Sequence, residues 1–488
     1  MQGEKELKPK LFYSKSIVDM IPETNFYFKL KELLDWTFVR KELSDHYAKA
    51  GRPSLDPIVF FKLNLVGCLE NLVTDRDLIR KCALRLDVLY FLNYDIDESL
   101  PWHSTISRTR QQMPVEIFEK LFEHMFVQCI ESGMVLSGDV AVDSAYIKAN
   151  ASLESLEERK QVDLLNYLAK VRESNKSEDS REEKEFKKRD SIEKRPASKR
   201  SNKDFYSRTD TDAKIARKSG TPTDLYFGAV VATDTENHLI CDAFAGHADK
   251  HDSRHLMESA QASQKRYKQV ERKIENIVAD GAFTSGPNLI ALENLDIESY
   301  MPAPSNFKKE RKNFTYDEVK DEWECRNGKK LKFKQISDSG NGKLSKDYKT
   351  QTSDCKNCPF KDECIPKQPT KKISVSIHSQ RYKQLDQRMQ TKTGKRLMRK
   401  RKSSVEPVLG QLKHQLGIRK IFTKGIKNAN KKMLMAAITH NMKKWLKQLA
   451  KSPSIAKSGA LKRYKKSLNK LFSKIYNTMP NYSPRFNI

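Results

Sequence analysis

The sequence lacks any run of about 18 apolar residues, so no segment of it can cross a bilayer as a helix, and no membrane partner is expected. Its first residues, Met-Gln-Gly-Glu-Lys-Glu, lack the apolar core of a signal peptide, and the expectation is a protein that stays in the cytoplasm. A reducing compartment disfavours disulfides, so the eight cysteines are expected as thiols or metal ligands. Hydrophobic residues at 38% beside charged ones at 32% exclude a disordered chain, and 488 residues are enough for two or three domains with a real core. Scarcest of all is negative charge towards the carboxyl end. From Gln387 to Ile488 there are 27 Lys and Arg and a single acid, Glu406. That segment carries most of the net charge of +29, and a pI near 9.6 points to nucleic acid or an anionic surface as partner.

The lone acid sits in Arg399-Lys-Arg-Lys-Ser-Ser-Val-Glu406-Pro-Val-Leu-Gly-Gln-Leu-Lys413. A segment built to lie against polyanion gains nothing from a carboxylate, which repels phosphate and cancels a counterion-releasing contact. A divalent cation held by Glu406 would remove that conflict, because the metal inverts the local charge. The alternative is a surface glutamate paired with Arg401, Lys402 or Lys413. Two more carboxylates in a suitable setting would favour the metal.

The first third reads as helices. Asp56 precedes Pro57 as an N-cap, Thr74 or Asp75 opens a second helix, Ser104 or Thr105 a third that presents Arg108 and Arg110, and Val115 to Ser132 has core spacing. Short helices with basic residues opening the third fit either a helix-turn-helix that contacts DNA or a structural, dimerising bundle.

Val135 to Tyr146 alternates like a strand, with Asp139, Ala141 and Asp143 on one face. An acid among valines is unfavourable unless paired or metal-bound, and Asp143, deeper in the run, is the stronger candidate, with Asp139 as substitute. Residues 152–204 are a charged insertion, a helical hairpin or partly disordered. Strands at 225–233 and 238–244 form a hairpin across Asp234–Asn237, a helix follows Asp252 or Ser253, a strand over 274–283 carries Asp280, and a helix over 286–294 and a strand over 297–302 complete a mixed sheet flanked by helices. His247, His251 and His255 recur every fourth residue without the Glu of a zinc-protease motif, and are expected at the surface or facing DNA. Residues 304–375 are polar, and there Cys355 and Cys358 make a knuckle that Cys325 and Cys364 can complete as a zinc site; free thiols in a loop are the alternative.

Across most of its length the chain resembles the DDE transposases of bacterial insertion sequences. Gly51 to Lys62 and Trp102 to Arg108 are similar to their helical amino-terminal domain. Asp143 to Ala151, Asp210-Thr-Asp-Ala213, Ala248 to Ser253, and Val278 to Ser285 resemble the segments around the first two acids. Val405 to Lys413 resembles the third-acid helix, including the lysine seven residues after the glutamate, although Leu409 stands where an aromatic is usual, and Lys431 and Lys432 lie where an acid is frequent. The resemblance implies an α+β chain: a helical domain over 1–134 for DNA binding or dimerisation, a ribonuclease-H-like catalytic domain over 135–445 with both insertions, and a basic tail over 446–488. It implies that Asp143, Asp280 and Glu406 converge to hold two Mg2+ or Mn2+ ions, spaced for in-line phosphoryl displacement. Lys413 and Lys402 would position phosphate, with Arg399, Arg401, Arg108 and Arg110 as further DNA contacts. The expected activity is cleavage at the element's terminal repeats and joining to target DNA by a homodimer or larger assembly associated with the nucleoid. A nuclease of the same fold that does not join, and an inactive DNA-binding descendant, are the other readings.

Overall fold

Capping and apolar spacing agree through the amino-terminal part, and helices form where they do. The computed structural model describes residues 16–34, 36–44, 54–134, 136–159, 196, 200–218, 220–305, 307, 311–338, 340 and 343–451. Its first elements are α1 (Phe26–Leu33), α2 (Thr37–Leu43), α3 (Pro57–Leu69), α4 (Asp75–Cys82), α5 (Leu86–Leu92), α6 (His103–Gln112) and α7 (Val115–Glu131). Asp56 caps α3 by accepting from the Ile58 amide, and Thr74 caps α4 by accepting from the Asp77 amide. α3 is buried around most of its circumference, so it runs through the helical layer as its centre.

The main sheet is built from β1 (Asp139–Lys148), β4 (Lys214–Ala216), β5 (Asp224–Asp234), β6 (Ile240–His247), β7 (Asn276–Val278) and β8 (Glu298–Tyr300), while β2 (Leu156–Glu158) and β3 (Phe205–Ser207) form a separate pair. Across the sheet the order is β6-β5-β1-β7-β8, with β4 beside the start of β5. The first three run antiparallel, and β1, β7 and β8 run parallel. This is the ribonuclease-H-like order that the resemblance implies. β7 is shorter than the expected strand over 274–283, because Asp280 turns the chain into a 3-10 turn and caps it by accepting from the Ala282 amide. The helical-hairpin reading of the charged insertion falls mostly on residues outside the described ones, as does most of the basic tail.

Helices cover both faces. α8 (Leu256–Gln269) packs on β5 and β6, and α9 (Gly286–Asn294) follows β7. On the other face α12 (Ser379–Gln390) leads into α13 (Lys392–Gln415), which crosses β1, β5, β7 and β8. Between α9 and α12 the polar insertion departs from expectation, forming a five-stranded antiparallel sheet of β9 (Phe314–Asp317), β10 (Glu322–Cys325), β11 (Lys330–Asp338), β12 (Leu344–Lys349) and β13 (Lys372–Ser376), with α10 (Thr352–Lys356) and α11 (Lys361–Cys364) before its last strand. Leu331, Tyr348 and Ile373 are its small core, with Phe314, Trp323, Cys325 and Val375 against it. The insertion thus has an apolar centre of its own, where the sequence suggested metal instead.

The last helix, α14 (Ile426–Lys451), runs through the 445/446 boundary drawn from sequence and buries Trp445 and Leu449. Asp210 and Asp212 anchor its start by accepting from the Gly425 and Ile426 amides. Its Asn441 donates to the Ile240 carbonyl at 2.9 Å and accepts from the Ile240 amide at 2.8 Å, and Asn430 does the same for Ala245. Two amides thereby satisfy the outer side of β6, an edge that would otherwise be open to pairing with another chain. One apolar cluster runs from Tyr27 and Phe60 in the helical layer through Val140 and Val230 to Trp445, so the helical layer and the sheet share a core. Asn441→Leu should strand both polar groups of Ile240 and cost about 2–4 kcal/mol, measured by denaturant unfolding, and Asn430→Ala should cost less because that site is only half-buried.

Candidate active site

Parallel register brings the first two acids together. β1 and β7 pair through Ala141 and Val278, so two residues further on Asp143 and Asp280 lie on neighbouring strands. Asp143 points to the α13 face. Val142 pairs across the sheet through Ala232 with Asp242, which meets Arg266 of α8, so Val142 faces α8 and its neighbour Asp143 faces the other way.

The third acid arrives on α13. Leu397, Arg401, Ser404, Val405, Val408 and Leu412 form its buried stripe, and Glu406 stands on the flank of that stripe, half-exposed. Pro407 follows inside the helix and has no amide hydrogen, so the Ser403 carbonyl loses its intrahelical donor one turn before the acid.

One guanidinium joins Asp143 to Glu406. Arg401 donates from Nη1 to Asp143 Oδ2 at 3.0 Å and from Nη2 to Glu406 Oε1 at 3.2 Å. Its side chain is 8% exposed, against 13% for Asp143 and 47% for Glu406. Burial pushes the Asp143 carboxyl above the usual carboxylate range; the Ser144 amide and Arg401 pull it down, neighbouring Asp280 pushes it up again, and Lys218 pulls it down. Lys218, which the sequence reading did not single out, is exposed here and reaches the Ser144 carbonyl at 3.4 Å. It also acts on Lys413, whose ammonium is lowered by burial, then by Lys218 and Arg419. Nothing in its local sequence, Ile-Ala-Arg-Lys-Ser-Gly, distinguishes it from other surface lysines; only the fold brings it there.

The other expected residues divide. Arg399, Lys402 and Arg108 are exposed and bond no acid among the described residues, although Arg399 and Arg108 lean on carbonyls of their own helices. Arg110 is not presented as expected: both of its terminal nitrogens bond Asp75, its side chain is 11% exposed, and its carbonyl accepts from buried Lys431. Asp139 opens β1 four residues before Asp143 and is engaged instead by Asn276, from which it accepts, a contact that ties the strand register. His255, expected at the surface, is buried against Phe244 and against Gly246, where a Cβ would lie 2.5 Å from its ring. His247 bonds the Asp212 carbonyl.

Among the described residues no three of His, Cys, Asp and Glu are grouped as they stand to hold a metal ion. For the cysteines the arrangement lends the zinc reading no support beside that of free thiols. Cys355 Sγ is 3.2 Å from Thr350 Oγ1, Cys358 accepts from Asn327, Cys325 packs on the insertion's own core, and Cys364 completes no set with them. For the acids the donor chemistry does fit Mg2+ or Mn2+, since all three are hard carboxylate oxygens, and a cationic guanidinium already lies between two of them.

A family model of a transposase domain matches residues 15–112, and a model of a transposase DDE domain matches residues 324–446. The second match includes Glu406 and Lys413 but neither Asp143 nor Asp280. No curated protein matches the sequence. Among solved structures the chain is similar to the piggyBac transposase in its synaptic complex with hairpin DNA, at 13% identity over 94% of this chain and 84% of that one, with a TM-score of 0.31. It is also similar to the Mos1 mariner paired-end complex with Mn, at 14% identity over 55% of this chain and 67% of that one, with a TM-score of 0.17. Overlaps this loose carry nothing for the site.

The two arginines of α6 should separate on mutation. Arg110→Ala strips Asp75 of its partner and should destabilise the fold by about 1–3 kcal/mol, whereas Arg108→Ala should stay within about 0.5 kcal/mol of the parent. Denaturant unfolding of the two variants checks this.

Proposed function

Because the chain belongs to the DDE transposases, enzymes that cleave DNA and join the cut strand to a target, we propose that Asp143, Asp280 and Glu406 are its reaction centre and that its substrate is the paired ends of a bacterial insertion sequence. The observation that carries this reading is the shared guanidinium of Arg401, which ties a strand acid to a helix acid from the far end of the chain, beside the strand that leads to the second acid. Mg2+ or Mn2+ held by these three carboxylates would supply the Lewis acid that polarises the scissile phosphate and makes water, or a freed 3′ hydroxyl, a nucleophile.

The chain's own part is position and charge. Asp143 and Asp280 are set by sheet register, and Glu406 by the buried stripe of α13, so the three oxygen ligands come from elements that cannot shift independently. Lys413 stands two helical turns beyond Glu406, roughly 10 Å along the axis, a distance suited to a backbone phosphate beside the scissile one. Lys218 acts electrostatically on both Asp143 and Lys413. Exposed Lys402 and Arg399 continue the cationic path along α13, and Arg108 offers a further contact from α6. Cutting two ends of one element in concert requires at least two such centres, so the working form is an assembly of two or more copies on DNA.

The test is a paired measurement on wild type and Glu406→Gln, with DNA from the borders of the gene's own element as probe. Removing one negative charge from a cationic face should leave DNA affinity equal or slightly tighter, while Mg2+-dependent cleavage and joining fall by about 10²-fold or more. Normal cleavage by the variant removes Glu406 from the site. Cleavage without joined products in wild type would identify a nuclease instead. Lys413→Ala should behave differently, weakening DNA binding with a smaller loss of the chemical step.

A further inference from the structure

Arg401 is oddly placed for a residue that only stabilises the fold. Its guanidinium is buried, its Nε has no hydrogen-bond partner among the described residues, and its other two nitrogens are bonded to Asp143 and Glu406. A divalent cation bound by these carboxylates would sit beside the guanidinium that now holds one oxygen of each, and two cations at one pair of carboxylates repel each other strongly in a partly desolvated site. A buried Arg that surrendered both acids with nothing in exchange would be left unpaired, at a cost of several kcal/mol. Among the described residues the other acid beside Asp143 is Asp280, itself assigned to the metal, so no spare acid is left to receive it. The cation Lys218 acts on Asp143 and on Lys413. A DNA phosphate can receive Arg401. Guanidinium and phosphate form a bidentate pair, and α13 on either side of Arg401 carries the exposed cations Arg399 and Lys402.

We propose that Arg401 is a place-holding cation: it keeps Asp143 and Glu406 side by side before metal enters, and releases them when a DNA phosphate takes over its guanidinium. The proposal rests on the assignment of the three acids as metal ligands. Arg401 is then a positioning residue whose departure couples DNA binding to metal binding. Linkage is reciprocal, so DNA raises metal affinity by the same factor by which metal raises DNA affinity. Premature metal loading, and with it adventitious cutting by the free protein, is suppressed by the same device.

The experiment measures Mn2+ binding directly, by the electron paramagnetic resonance signal of the free ion, on the full chain with and without a short mixed-sequence DNA duplex. Wild type, Arg401→Gln, Arg401→Lys and Asp280→Asn are compared at equal folded fraction, judged by thermal unfolding. In wild type, DNA should tighten Mn2+ binding. Arg401→Gln should bind Mn2+ about tenfold or more tighter than wild type without DNA, and DNA should add little further. Arg401→Lys, which keeps the charge but loses the planar fork that reaches both carboxylates, should move in the same direction by less, and it serves as the test if Arg401→Gln does not fold. Suppose Mn2+ binding is lost in Asp280→Asn, yet Arg401→Gln, or Arg401→Lys in its place, binds no tighter than wild type: the place-holder idea is then wrong and the metal site stands. Should Asp280→Asn bind Mn2+ as wild type does, the acids are not the ligands, and both readings fall together.

Discussion

Charge at the centre of this molecule is settled by one contact between a helix and a strand. β1 brings Asp143 into an apolar sheet, which is costly for a carboxylate, and α13 brings a guanidinium that offsets the cost and also reaches the Glu406 of its own next turn. The crossing of α13 over the sheet follows from that arrangement. Its buried stripe sets where the helix lies, and the ion pair sets how far along its axis it sits. The acid on the basic face, an anomaly when only sequence is considered, is thus paired in the structure with one of the cations that make the face basic. Of the partners that sequence offered, Arg401 is the one that bonds it.

The amino-terminal layer is coupled to this centre through packing. Lys431, in the first turns of α14, buries its ammonium on the Arg110 carbonyl of α6, and Lys432 lies 3.6 Å from Cys68 of α3. Loop residues 418–421 between α13 and α14 pair with the end of β1, where the Lys148 amide meets the Arg419 carbonyl and the Ile421 amide meets the Lys148 carbonyl. A displacement of α6 therefore strains α14, the loop, and the strand that carries Asp143. The segments matched by the two transposase models are separated by some two hundred residues of sequence and are nevertheless adjacent in space.

Much of this was readable in the sequence, and the misses have physical causes. Asp56-Pro57 and Thr74 mark helix starts because a cap is local chemistry, written within four residues. The hairpin turn at Asp234–Asn237 was legible for the same reason: the Asp234 carboxylate accepts from the Glu236 and Asn237 amides within its own turn. Asp143, Asp280 and Glu406 stood out as acids in apolar or cationic settings, a conflict visible without coordinates. Arg110 was misjudged because its partner, Asp75, lies 35 residues away, and no local pattern reports such a pair. Lys218 was missed for the same reason. The cysteine-bearing insertion stayed open between zinc and free thiols because its core is three side chains deep and β11 carries Lys330, Lys332 and Lys334 at exposed positions, so composition did not reveal an apolar centre. His255 looked like one of a polar series, and its burial depends on a glycine in a strand nine residues earlier.

The continuous core has a geometric consequence. Since the helical layer and the sheet share one apolar cluster, Arg108 on α6 and Glu406 on α13 are two marks on elements packed into a single core. On the proposed reading of both as DNA-facing, a double helix lying against them would meet them at a separation that this packing sets, a count of base pairs from one mark to the other. Sequence drift in either segment that altered the seam between them would change the count as well as the stability.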